Sequence, residues 1–160
     1  MKSHAFLILL SALALTGAAA ATRAAGGAPG PAQVLTKEEA EGLIFERQQL
    51  MKQMEEDAET LGDIVAGLQP PDKLGQVTRS LATAAHDMRA TFEAKIPGGR
   101  AKPDVWANWP DYSKRMDDFE LKAEEMANLG EAGNLPAVTA MLGAALPCKE
   151  CHDVYRLPKK

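Results

Sequence analysis

The chain has 160 residues, with 18 Lys+Arg against 22 Asp+Glu, and its formal net charge of −4 argues against an electrostatic nucleic-acid binder. Hydrophobic residues make up 46% but aromatics only 5%. Ala, Leu and Met therefore supply most of the apolar volume, which favours helix over sheet, and two cysteines exclude a disulfide-dense scaffold.

The N-terminus reads as an address. Met1–His4, with Lys2, precedes an apolar run from Ala5 to Leu15, and Thr16–Ala21 supplies small residues for an A-x-A cleavage site. This layout predicts a secretory signal peptide over residues 1–21, cleaved near Ala20–Ala21. The apolar run falls short of the roughly 20 residues that a membrane helix needs. A soluble protein outside the cytoplasm is expected, with no membrane association after cleavage and a mature chain one unit more negative. Residues 22–35, rich in Ala, Gly and Pro, read as a flexible lead-in to a folded domain over 36–160.

Four helical segments are predicted. The first runs from about Thr36 to Gly67, opened by a Thr36/Glu39 capping box and closed by Pro70-Pro71; Leu43, Leu50, Met54, Leu61, Val65 and Leu68 form its stripe. The second runs from about Asp72 to Lys95, with Leu74, Val77, Leu81, Ala85, Met88 and Phe92 on one face and Pro97-Gly98-Gly99 as its stop. The longest connection, Ile96 to Trp109, holds both tryptophans, read as a cap on one end of the fold. The third helix is expected from near Pro110, with Tyr112, Met116, Phe119, Ala123 and Met126 as its stripe and Gly130 and Gly133 at its end. Asn134 can cap a fourth helix carrying Leu135, Val138, Leu142 and Leu146, with a break at Pro147 and a last helical piece to Arg156. No strand-like alternation of any length appears. Short connections place successive helices antiparallel, so the expected fold is an all-α, up-down-up-down four-helix bundle.

Near the C-terminus, Cys148-Lys149-Glu150-Cys151-His152 is C-x-x-C-H, the attachment sequence of c-type heme. Cysteines at i and i+3 of a helical turn project to the same side, where two thiols can reach two vinyl groups of one macrocycle. The adjacent imidazole then faces the iron, and its second nitrogen needs an acceptor. A thioredoxin-like redox pair would need a βαβ context. A zinc site would need further ligands, and only His4 and His86 remain. A Cys148–Cys151 disulfide would close a very small loop with little entropic benefit. Export fits heme attachment, which follows export. A single covalent heme on the C-terminal helix is the reading adopted.

An exported chain with four helices and C-x-x-C-H near its C-terminus resembles the cytochrome c′ family, the class II c-type cytochromes. Three stretches carry the resemblance: Arg47-Gln48-Gln49-Leu50-Met51, Lys102-Pro103-Asp104-Val105-Trp106, and Cys148 to Arg156 (CKECHDVYR). Pro147, directly before Cys148, departs from the family pattern. The resemblance implies thioethers at Cys148 and Cys151 and a proximal iron ligand at His152. It implies that Arg156 flanks the proximal face and the propionates, and that Arg47 and Gln48 lie near the propionates and the distal pocket. The Met51 position would face the iron from the opposite side. An aliphatic residue there implies a five-coordinate, high-spin iron that binds nitric oxide or carbon monoxide; Met implies the low-spin branch, in which the thioether is the sixth ligand.

The function expected from the sequence is therefore a periplasmic one-electron carrier with His152/Met51 ligation, exchanging electrons with redox partner proteins. Met54, one turn on, is the fallback ligand. A five-coordinate gas-binding heme protein is the alternative, and a heme-free helical metal-binding or interaction module the third reading. Met51 as a core filler, His86 as a surface residue, and Glu55-Glu56-Asp57 and Asp117-Asp118 as solvated faces are the plainer interpretations. No catalytic motif of an enzyme is present. A homodimer is possible from the family pattern.

Overall fold

A computed structural model describes residues 35–159. The expected signal peptide and nearly all of the lead-in lie outside the described residues. The order of elements is α1 (Lys37–Val65), a 3₁₀ turn (Pro71–Lys73), α2 (Leu74–Glu93), α3 (Asp104–Ala107), α4 (Trp109–Glu131), α5 (Leu135–Ala145) and α6 (Cys148–Tyr155). No strand occurs among the described residues, only isolated bridges at Gly98–Ala101 and Ala101–Arg156. Helix α2 packs on α1 and α4, and α4 packs on α5. The fold is an antiparallel four-helix bundle, as the helical stripes imply.

The helix ends follow local chemistry. Thr36 and Glu39 form the capping box reciprocally: the Glu39 amide donates to the Thr36 hydroxyl at 3.2 Å, and the Thr36 amide donates to the Glu39 carboxylate at 2.8 Å. Asn134 accepts from the Ala137 amide and caps α5. Helix α1 ends two residues before the expected boundary, because Gly67 at φ 72° turns the chain out of the helix before Pro70 is reached. Leu68, expected on the stripe, is consequently 75% exposed. The second helix opens with a 3₁₀ turn at Pro71, and the tryptophan-bearing connection holds an additional short helix, α3. The break at Pro147 falls where expected, between α5 and α6.

The core has two halves and, between α2 and α4, a third cluster whose buried members are only Ala82, Ala85, Ala123 and Ala127. One, built on Leu61, Ile64, Leu74, Leu81, Met126 and Val138, fills the bundle end near the α1–α2 and α4–α5 connections. The other gathers both tryptophans, both tyrosines and two of the four phenylalanines at the opposite end, with Met88, Met116 and Cys151. The few aromatic rings are thus concentrated beside α6. Between α2 and α4 the backbones come close: a Cβ on Gly130 would lie 2.1 Å from the Thr78 hydroxyl oxygen.

Candidate functional site

The C-x-x-C-H sequence forms the helix α6, so the two thiols and the imidazole stand on one short helical segment as its spacing implies. Both thiols are free. Cys148 is exposed, whereas Cys151 is half-buried and packs into the aromatic core half. Two cavities, of about 430 and 690 Å³, meet at this helix. Cys151, His152, Arg156, Met51 and Glu55 line both; Cys148 lines only the larger. Arg47 and Gln48 line the smaller one. All seven expected site residues therefore converge on one region, brought there from α1 and from α6 with its C-cap residue Arg156, segments about 100 residues apart in sequence.

Helix α6 is short and is held by its neighbours. Tyr155 is buried; its ring packs edge-on against Tyr112 at 5.1 Å, and its hydroxyl donates to Asp111 at 2.5 Å. The Arg115 guanidinium and the Tyr155 hydroxyl, in that order, hold the Asp111 carboxyl below its usual range. The loop before α3 binds the other side. The Lys102 ammonium donates to the carbonyls of Asp153 and Val154, the Lys102 amide to Tyr155 O at 2.9 Å, and the Leu157 amide to Arg100 O at 2.8 Å. A cation on the last carbonyls of a helix satisfies groups that have no partner within it.

The electrostatics favour ligation over thiol redox chemistry. Burial, followed by Arg156 and Arg100, holds the His152 imidazole below its ordinary value, so it stands neutral, the form a metal requires. Burial pushes both thiols up. A thioredoxin-type pair needs a lowered thiol and a strand-bearing fold, and neither occurs among the described residues.

Arg47 has a second role that its sequence position hides. It is buried, and its guanidinium donates to Thr91 O at 2.7 Å, to Ile96 O at 2.8 Å and to Ala94 O at 3.4 Å. It thereby caps α2 while lying 4.3 Å from the centre of the Phe92 ring. Gln48 is exposed at the cavity edge. Met51 is half-buried and borders both cavities, whereas Met54 borders only the larger and also packs against both core halves. His86 lies on the surface, where its Nδ1 pairs with Glu120 at 2.7 Å, away from the cavities. Trp106 donates its indole N–H to Phe92 O at 2.9 Å, and Trp109 packs with it in the same core half, in line with a structural cap. Asp57, expected on a solvated face, is buried and accepts from Ser80 at 2.6 Å and Gln53 at 3.2 Å. Its position between α1 and α2 is the reason.

Sequence reading missed Glu55, Arg100, Tyr112 and Lys159 as lining residues. Glu55 was within reach, since it follows Met51 by one helical turn. Arg100 carries no such signal, because it lies in a loop whose path periodicity does not describe. Among the described residues no group of three or more His, Cys, Asp or Glu side chains is arranged to hold a metal ion, and no helix is long and apolar enough to cross a membrane.

The description "Cytochrome C′" belongs to the family model that matches residues 43–156. A curated cytochrome c′ from Alcaligenes xylosoxydans xylosoxydans is 30% identical over 71 residues, covering 44% of this chain and 56% of that protein, so the alignment spans about half of the relative's length. A solved cytochrome c prime from Alcaligenes xylosoxidans, a ferrous variant with bound nitric oxide, superposes with a TM-score of 0.69 at 24% identity, covering 75% of this chain and 97% of that one. The ferric form from the same organism gives the same TM-score, identity and coverage. With the C-x-x-C-H helix on the cavity and a family model over most of its length, the chain belongs to the cytochrome c′ family, whose members carry one covalent heme c.

Proposed function

We propose that the protein is an exported c-type cytochrome that takes up a small diatomic gas, nitric oxide or carbon monoxide. One heme is tethered through Cys148 and Cys151 and ligated by His152. The single observation that carries the heme reading is the meeting of two cavities at Cys151 and His152. Their volumes fall in the range of ordinary ligand pockets, roughly 300–1,000 Å³ each. The free thiols and neutral imidazole there fit covalent heme. Bound heme supplies an iron whose axial ligands decide between gas binding and electron transfer. Membership of the family and the nitric oxide complex of the Alcaligenes relative support the gas-binding choice.

The chain's own residues have distinct parts. His152 offers its lone pair from a helix pinned by Tyr155 and Lys102. Arg156 stands one turn beyond it at the edge of both cavities. Arg47 and Gln48 shape the wall of the smaller cavity, and Met51 crowds the space shared by the two.

Met51 also supports a second reading. Its thioether borders both cavities in company with His152, which is where a sixth ligand would be found. In that case the protein is a one-electron carrier serving redox partner proteins. Under either reading the leader sends it to the periplasm, and pairing as a homodimer accords with family habit.

Optical spectra of the heme-loaded protein, with and without carbon monoxide, separate these readings. A reduced spectrum that shifts with carbon monoxide supports gas binding. Sharp α and β bands that ignore carbon monoxide, and respond to it only after Met51→Leu, support the carrier. A colourless product from cells equipped for heme attachment overturns both.

A further inference from the structure

The two cavities differ in charge. The smaller has Lys52, Arg100, Arg156 and Lys159 along it, beside the buried Arg47, against the single carboxylate of Glu55. This cationic lining stands out in a chain of net charge −4. Arg47 is committed to backbone carbonyls, and Lys52 pairs with Glu56 at 3.3 Å. Among the described residues, Arg100, Arg156 and Lys159 have no carboxylate partner. The larger cavity is walled by Met51, Met54, Met88 and Met116, and it alone is lined by Cys148.

A heme is asymmetric in the same sense. Its two vinyl groups, which the thiols must reach, lie across the macrocycle from its two propionate carboxylates. Cys148 in the larger cavity sets the vinyl edge toward the methionines, which leaves the propionate edge toward the cationic cavity. We infer that Arg100 and Lys159, which no sequence motif marks, are counter-charges of the heme propionates. They act with Arg156 to keep both carboxylates ionised. The inference rests on the heme reading above but not on the choice of sixth ligand.

The physical consequence is a linkage between proton and electron. An ionised propionate stabilises the more positive ferric state, so the reduction potential falls as pH rises through the propionate pKa. Neighbouring cations lower that pKa, and removing them raises it. The test is redox potentiometry of the heme-loaded protein against pH, comparing the parent with R100Q, K159Q and the double variant. Both side chains reach solvent, so the fold tolerates the changes. The expected result is an inflection displaced to higher pH by about one unit in the double variant, and less at high salt. K37Q removes the same charge from the far N-terminus of α1 and should leave the inflection in place.

R100K separates charge from structure, because the Arg100 Nε also donates to Leu157 O at 2.9 Å. R100K keeps the charge and loses that bond, so it should resemble the parent. An inflection unmoved in the double variant overturns the inference, as does one moved equally by K37Q or by R100K. A protein that matures without covalent heme overturns the heme reading itself. A heme-bearing protein with an unmoved inflection overturns this inference alone.

Discussion

Gly130→Ala is expected to destabilise the bundle although alanine is the better helix former. Gly130 lies in the last turns of α4, facing Thr78 of α2, which is fully buried. A Cβ there would stand 2.1 Å from the Thr78 hydroxyl oxygen and 3.0 Å from both Thr78 Cβ and Cγ2. The hydroxyl has no room to retreat, since it already donates to Leu74 O at 2.9 Å within its own helix. Overpacking of this kind costs about 1–3 kcal/mol, and displacing the hydroxyl from its carbonyl adds about 1 kcal/mol. Against this, Ala gains about 1 kcal/mol over Gly in a helix interior. The net loss is about 2 kcal/mol, or about 7 °C in melting temperature for a domain of this size. Urea and thermal melts of the heme-loaded protein, followed by far-ultraviolet circular dichroism, measure it. Gly62→Ala in α1 is the internal control: nothing lies within 4 Å of a Cβ there, so it should stabilise by up to about 1 kcal/mol. Combining Gly130→Ala with Thr78→Ala should abolish most of the penalty. A Gly130→Ala protein as stable as the parent, or equally destabilised with Thr78 truncated, would refute the close-crossing argument.

Three further expectations follow from the geometry. Arg47→Ala should cost about 3 kcal/mol by denaturant titration, because it strips the buried carbonyls that end α2 of a charged donor. Arg47→Lys should recover less than half of this, since an ammonium cannot reproduce the guanidinium fork; full recovery would show that charge alone matters. The hydrogen bond and charge of Glu120 raise the His86 pKa, so His86 should titrate above its ordinary value by NMR, and Glu120→Gln should return it there. The sign follows from that raised value. The pair's small contribution to stability is complete below the unfolded imidazole pKa of about 6.5 and is lost as pH rises through the folded value; a rise in stability over that interval would contradict it. Met51→Leu should leave heme attachment intact and change only the response to carbon monoxide; loss of attached heme would make Met51 a folding residue.

What the sequence disclosed was local or periodic. The capping box at Thr36, the break at Pro147 and the stripes of α2 and α4 depend on residues within two helical turns of one another, so spacing reports them. The C-x-x-C-H helix is of the same kind. Its partner face on α1 required the family resemblance, since nothing local in Arg47–Met51 points across the bundle. Leu68 failed because a stripe says nothing about a left-handed glycine just before it. Arg47 was expected beside the propionates, and its role as the cap of α2 stayed hidden because the carbonyls it satisfies are 44 to 49 residues away. Asp57 failed likewise, its Ser80 partner being 23 residues distant.

The attachment of α6 has a consequence for the order in which the molecule opens. This eight-residue helix carries the cysteines, yet its C-terminal side hangs from the Arg100–Lys102 loop by a few backbone and lysine hydrogen bonds, with Tyr155 as its one buried anchor. The large apolar half of the core lies elsewhere and does not depend on it. A segment held this way opens at a free energy well below that of global unfolding. Its amides should therefore exchange with solvent sooner than those of α2 and α4. The half-buried Cys151 thiol can thus join the exposed Cys148 in reach of the attachment machinery while the bundle stays folded, and a covalent cofactor then closes a weak seam of the fold.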